Sequence, residues 1–307
     1  YTAGFEPPLS IALAMGLEEA FFLFFANLAG LGAAVVLGRR MTGGSVTGMV
    51  LFLMVMLGAQ GLIMTQDLFN LFVFLEISSI ATYSLIAIER NSRSMSAGFK
   101  YIIAGGIASA LFLIGTIYLY RIAGSLAIAD IIAAQPAAAG AAGITAVFLL
   151  TAALLIELKP FPANGWALDV YQAVQSGVVS VIAVVNSAAV LFALYKVFPM
   201  LPSTLIQALL WIGIITFFAS NLIGLRQSDV KRMLGYSSSA QIGLLISALS
   251  LSNLYGWSPK LQLLVFATVF FGHLFSKAGL FWLTEVQGEA NWHRWSGPAK
   301  TGGILLL

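Results

Sequence analysis

A few ionisable side chains stand in this sequence where they are expensive to keep. Glu76 follows Leu71–Leu75 and precedes Ile77 inside a long apolar run. At the centre of a membrane helix a charge costs about 2.5–3.5 kcal/mol on insertion scales, which makes such residues candidates for function. His273 and Lys277 lie four apart, on one face of a helix. Glu157 and Lys159 are two apart, on different faces of any helix that carries both, just before Pro160. Lys100 opens another apolar run and is placed either to act or to snorkel to the interface. Carboxylate, ammonium and imidazole groups all exchange protons, and burial together with charged neighbours sets when they do so. Two structural alternatives stay open: Glu76 and Lys277 as a fixed ion pair, and His273 as a core histidine bonded to a backbone carbonyl.

The elements that must position these groups follow from composition. Of 307 residues, 60% are apolar and 9% charged, and mean hydropathy is +0.95. A soluble domain carries about 25% charged residues, so this chain lacks the material for a polar surface. Nine apolar runs can each cross a hydrocarbon core: 20–38, 47–65, 68–89, 97–121, 143–159, 177–198, 204–226, 231–251 and 261–285. None alternates as barrel strands do. The expected fold is all-α and polytopic, with Glu76 roughly 13 Å deep at 1.5 Å per residue. No cysteine is present, and His273 and His293 make no ligand cluster, so no cofactor or metal is expected in this chain. The net charge of +3 reads as membrane topology rather than nucleic-acid binding.

With Lys100, Lys159 and Lys277 set aside, one side of nine spans receives Arg39, Arg40, Arg90, Arg93, Arg226, Lys231, Arg232, Arg294 and Lys300. The other receives Arg121, Lys196 and Lys260. That bias puts the connections at 39–46, 89–96 and 227–230 in the cytoplasm or its equivalent, in a multi-pass protein of the cell membrane. Residues 123–142 suit a short surface helix and a turn. The chain opens on Tyr1, and residues 302–307 read as the start of a tenth helix, as in a piece of a longer protein. At Lys159–Trp166, two prolines and a glycine force a helix to break. That break is either an ordinary loop or a discontinuous helix beside a transport path.

Four ordered motifs carry a resemblance: DLFNLFVFLE over 67–76; Lys100–Tyr101 opening a Gly-rich helix before Gly124–Leu126; DVKRMLGYSSSAQIG over 229–243; and HLFSKAGLF over 273–281. In this order they resemble the proton-conducting antiporter-like subunits of respiratory complex I, Mrp-type cation/proton antiporters and membrane-bound hydrogenases. The resemblance implies inverted five-helix repeats, each with a broken helix and a half-channel, and other membrane subunits as partners. It divides the chain into a leading segment and helix (1–46), a first half-channel unit (47–198) and an incomplete second unit (199–307). It also makes the Pro160 interruption a broken helix, and it matches Glu76, His273 and Lys277 to positions of the family's ion path. This sequence departs from the family in the first unit. Glu157 stands where a lysine is usual, Asn164 replaces a histidine, and 177–195 holds no ionisable side chain but Tyr195. Either Lys159 serves from a displaced position or the first half-channel is weakened. The expectation is a proton- or Na⁺-translocating subunit using Glu76, Lys100, Glu157, Lys159, His273 and Lys277. A non-conducting scaffold is the alternative. A solute transporter would need a recognition cluster that the helices do not contain.

Overall fold

The computed structural model describes residues 10–41 and 46–288, together with Asn291 and Arg294. Twelve α-helices are formed: α1 (Leu17–Met41), α2 (Val46–Met64), α3 (Leu68–Ala87), α4 (Ser92–Ala123), α5 (Ile128–Ala133), α6 (Ala141–Leu158), α7 (Gly165–Ala173), α8 (Ser176–Ser180), α9 (Ser187–Val197), α10 (Ser203–Gly224), α11 (Val230–Tyr255) and α12 (Pro259–Gln287). A π-helical turn, Val181–Asn186, joins α8 to α9 in one continuous span. Among the described residues, nine helices are long and apolar enough to cross a membrane, and strand pairing is limited to isolated bridges such as Leu13–Thr65. The protein is an all-α, polytopic membrane protein.

Helix ends follow local chemistry. The side chains of Asp67, Asn91 and Asp229 accept hydrogen bonds from the amides of Asn70, Ser94 and Arg232 at 2.7, 2.8 and 2.9 Å, capping α3, α4 and α11. At Asp67, outside the spans, burial holds the carboxyl above its ordinary value against the bonds from the Asn70 and Phe69 amides. Left-handed glycines at 124, 256 and 288 close α4, α11 and α12. The Asn91 cap starts α4 five residues before the apolar run, so Lys100 lies in the third turn rather than the first. The stretch 123–142 forms α5 and a 3₁₀ turn at Pro136–Ala138. The His293 and Lys300 side chains and residues 302–307 lie outside the described residues, as do the side chains of Arg39 and Arg40.

The span Ser176–Met200 is buried along its length, with α1, α2, α6, α11 and α12 packed around it. Outside this centre, α10 pairs closely with α11. A Cβ on Gly213 would fall 2.6 Å from the Gly243 carbonyl oxygen, and one on Gly243 would fall 2.7 Å from the Gly213 carbonyl oxygen. Van der Waals contact between backbones holds this pair together where lipid removes the hydrophobic drive. The opposite face of α10 exposes Trp211, Ile215, Phe218 and Leu222, as a lipid-facing surface would.

The connections gather on two sides, in the grouping the basic residues imply. On one side the Gln175 amide donates to Glu89 (2.9 Å), the Lys231 ammonium to the Val174 carbonyl (2.7 Å) and the Ser176 amide to Glu285 (3.3 Å). On the other, the buried Lys196 ammonium donates to the carbonyls of Leu62, Ile63 and Thr65 at 3.4, 2.5 and 2.6 Å. Lys196 therefore closes the C-terminus of α2, where unpaired carbonyls and the helix dipole both attract a cation. Replacing it leaves those carbonyls short of donors, at about 1–3 kcal/mol. Lys196→Met is expected to lower the thermal unfolding midpoint in detergent, and an unchanged midpoint would refute the capping role.

Candidate proton-transfer site

α6 stops at Leu158 because Pro160 and Pro162 carry no amide hydrogen and cannot extend it. Lys159 takes the C-cap in a left-handed conformation (φ 59°), its amide bonded to the Leu155 and Ile156 carbonyls at 3.0 and 3.3 Å. A side chain other than glycine adopts that conformation at a cost of about 1–2 kcal/mol. The chain then turns, with a cis peptide at Phe161–Pro162, and resumes as α7 from Gly165. Residues 160–175, unassigned by hydropathy, thus hold a further helix, α7, after the break.

The break separates the two ionisable groups before it. Glu157, buried, accepts a hydrogen bond from the Tyr101 hydroxyl of α4 at 3.3 Å. Lys159, equally buried, swings to the central span and donates to Ser187 Oγ at 3.3 Å. The Ser187 hydroxyl in turn donates to the Ile182 carbonyl (3.2 Å) in the π turn. The adjacent carbonyl, Ala183, lies 3.1 Å from Nε2 of His273 on α12. Since a carbonyl only accepts, Nε2 carries the hydrogen, and in the neutral ring Nδ1 keeps its lone pair; Nδ1 is buried and bonds to no protein group. One turn further along α12, the buried Lys277 ammonium donates to Ser237 of α11 at 2.5 Å. At the other end of the series, Glu76 accepts from Ser109 of α4.

These contacts place Glu76, Glu157, Lys159, His273 and Lys277 in one polar series through an apolar bundle. Glu157 is within electrostatic reach of both Glu76 and Lys159, and His273 of both Lys159 and Lys277. Asn186 fixes the π turn to α3, accepting from Ser78 (3.2 Å) and donating to Thr82 (3.1 Å). A π turn releases carbonyls from the regular ladder, and here Ile182 and Ala183 use theirs for Ser187 and His273. The groups in the series can hold or pass a proton. The histidine does make the backbone bond of an ordinary core residue, but its Nδ1 is left without a protein partner, one helical turn from Lys277. Glu76 and Lys277 are not paired with each other; each has its own serine.

Lys100 lies apart from the series. Half exposed, it pairs with Asp169 of α7 at 2.5 Å, and Asp169 also accepts from Arg232 of α11 at 2.9 Å. Arg232 reaches Gln172 as well (3.2 Å), and Gln172 donates to Asp229 (3.1 Å). Asp169 thus clasps α7 between α4 and α11. Sequence reasoning missed Asp169 because it lies in the unassigned stretch; an acid within the apolar WALDVY run was the available signal. Ser109, Tyr101 and Ser187 were also missed, since hydroxyls are common in membrane helices and only packing shows which of them meet charges.

Residues 65–295 match the family described as "NADH:quinone oxidoreductase/Mrp antiporter, TM". The chain belongs to this family. It is 33% identical over 303 residues to NADH-quinone oxidoreductase subunit N of Desulforudis audaxviator, covering 94% of this chain and 60% of that protein. It is 36% identical over 213 residues to the subunit N of Francisella tularensis subsp. holarctica, covering 66% and 44%. Among solved structures, a chain of the archaeal membrane-bound sulfane sulfur reductase superposes with TM-score 0.86 at 28% identity, over 99% of this chain and 64% of that one. A chain of the Mrp complex from Dietzia sp. superposes with TM-score 0.78 at 25% identity, over 93% and 54%. The sequence thus spans about half to two-thirds of the length of these relatives.

If Asp169 clasps α7, Asp169→Asn frees the helix locally. A partly exposed ion pair contributes up to about 1 kcal/mol, so amide exchange over 165–176 is expected to quicken about fivefold while α2 and α3 keep their rates. Unchanged exchange in that segment would deny the clasp.

Proposed function

We propose that this chain is an ion-translocating membrane subunit that moves protons by way of Glu76, Glu157, Lys159, His273 and Lys277. One observation carries the reading: five buried or half-buried ionisable side chains run from α3 to α12, linked across the helix break by Lys159 and Ser187. Lipid tolerates irregular backbone and charge only where protein or a hydrated cavity receives them, and ion paths are where membrane proteins keep them. Lys100, paired with Asp169 at the edge of the bundle, sets the position of α7 rather than carrying the proton. The two-unit organisation, 47–198 and 199–307 after a leading 1–46, supplies the frame: α7 and its break belong to the first unit, and α11 and α12 to the second.

The energy comes from other membrane subunits of a complex, as the relatives' names suggest. The site of action is the energy-conserving cell membrane, with the side bearing Arg90, Arg226 and Lys231 facing the cytoplasm. The scaffold reading draws on Glu157, which stands where related chains usually have lysine. Lys159 answers it by bringing an ammonium group to the central span from two residues further on.

In the full-length chain within its assembled complex, Glu76→Gln and Lys277→Met are each expected to cut proton translocation into vesicles at least about tenfold with assembly intact. Wild-type translocation in both variants would leave the scaffold reading standing. Replacing Na⁺ by choline separates the two cargoes: a proton path keeps its rate, and a sodium path loses it.

A further inference from the structure

Tyr101, Gly105 and Ser109 stand four apart on α4 and form one stripe facing α3 and α6. The two ends of the stripe are engaged by the two carboxylates: Ser109 donates to Glu76, and Tyr101 donates to Glu157. Between them is a residue with no side chain. A Cβ on Gly105 would lie 3.2 Å from the Tyr83 hydroxyl and 3.5 Å from Oε1 of Glu157. The Tyr83 hydroxyl therefore packs closely against Gly105, on the side where Glu157 also approaches it. Tyr83 projects from α3, two turns beyond Glu76 on the same helix. Ser79, one turn before Tyr83 and three residues after Glu76 on α3, interacts with both tyrosine hydroxyls. Packing fixes the arrangement. The Tyr83 and Tyr101 rings meet edge to face at 5.1 Å, and Tyr101 stacks on Trp166 of α7 at 4.5 Å.

We propose that the Tyr83 hydroxyl, packed against the bare α-carbon of Gly105, is the relay through which a proton passes between Glu76 and Glu157. The proposal rests on the translocation reading above and names a residue for its first step. The step balances without an ionised tyrosine. A proton released from the Glu76 carboxyl, directly or through the Ser79 hydroxyl, adds to Tyr83 Oη as the hydrogen already on that oxygen leaves for Glu157. Glu76 ends as carboxylate, Glu157 as carboxylic acid, and Tyr83 as a phenol once more. Rotation about the Tyr83 C–O bond then restores the donor direction. Lys159, whose side-chain nitrogen stands at Ser187 rather than on Glu157, first passes a proton onward and then, as the neutral amine, takes the proton from Glu157, which returns to carboxylate.

The test uses Tyr83→Phe, Gly105→Ala and the double variant, each in the full-length chain within its assembled complex in vesicles. Tyr83→Phe keeps the ring packing and removes only the hydroxyl; a drop in translocation of about tenfold or more is expected with normal assembly. Gly105→Ala leaves the tyrosine but crowds its hydroxyl, and a smaller drop is expected, with the double variant no worse than Tyr83→Phe alone. A wild-type rate in Tyr83→Phe, alongside a dead Glu157→Gln, overturns the relay. A second readout is independent of translocation. The infrared C=O band of Glu157, assigned by its loss in Glu157→Gln and followed at a pH where the acid is protonated, shifts on transfer to D₂O. The relay requires this exchange to slow about tenfold in Tyr83→Phe, and an unchanged exchange rate overturns it. A wild-type complex that moves no protons would overturn the translocation reading alone, and the exchange rate would still decide the relay.

Discussion

Hydrocarbon offers no partner to a backbone group released from a helix, so a helix that stops within a bundle must be received by protein. The end of α6 shows how this chain meets that constraint. Pro160 and Pro162 remove two donors that would otherwise need acceptors, and the Lys159 amide closes back onto Leu155 and Ile156. The left-handed turn at Lys159 carries its side chain away from Glu157 and into the central span. Much of the remaining arrangement depends on this local event. The central span must be buried along its length to meet an ammonium group, and its π turn must expose the carbonyls and hydroxyl that continue the series to α12.

The fold was largely legible from hydropathy, because apolar runs of membrane length have few alternatives. Nine runs became nine spans, and the connections gather on two sides as the basic residues implied. The boundaries were less legible where polar caps extend a helix past its apolar run, as Asn91 does for α4. The helix break was legible as chemistry, since two prolines near a lysine have no regular solution. Its continuation in α7 was not, because nine residues with an internal Asp169 fall below any membrane-length criterion.

The candidate site was legible in its charges and illegible in its partners. Glu76, Glu157, Lys159, His273 and Lys277 stand out by scarcity alone. Their hydroxyl partners do not, because Ser109, Ser187, Ser237 and Tyr101 are ordinary membrane-helix residues until packing brings them to a charge. Lys100 shows the same limit from the other side: its partner, Asp169, lies in a stretch that hydropathy leaves unassigned, so their ion pair was not legible. The departure from the family at Glu157 takes on a physical reading as well. The acid faces the first half of the series and its tyrosines, and the lysine two residues later faces the second half.

The central claim is that Lys159 joins these halves. Its most direct test is proton translocation by the assembled complex carrying Lys159→Met, which keeps the length of the side chain and removes the charge. Translocation reduced at least about tenfold, with assembly and the α2–α9 contact at Lys196 undisturbed, is the expected result. Translocation at the wild-type rate would contradict the account, because the charged link between Glu157 and His273 would then be dispensable.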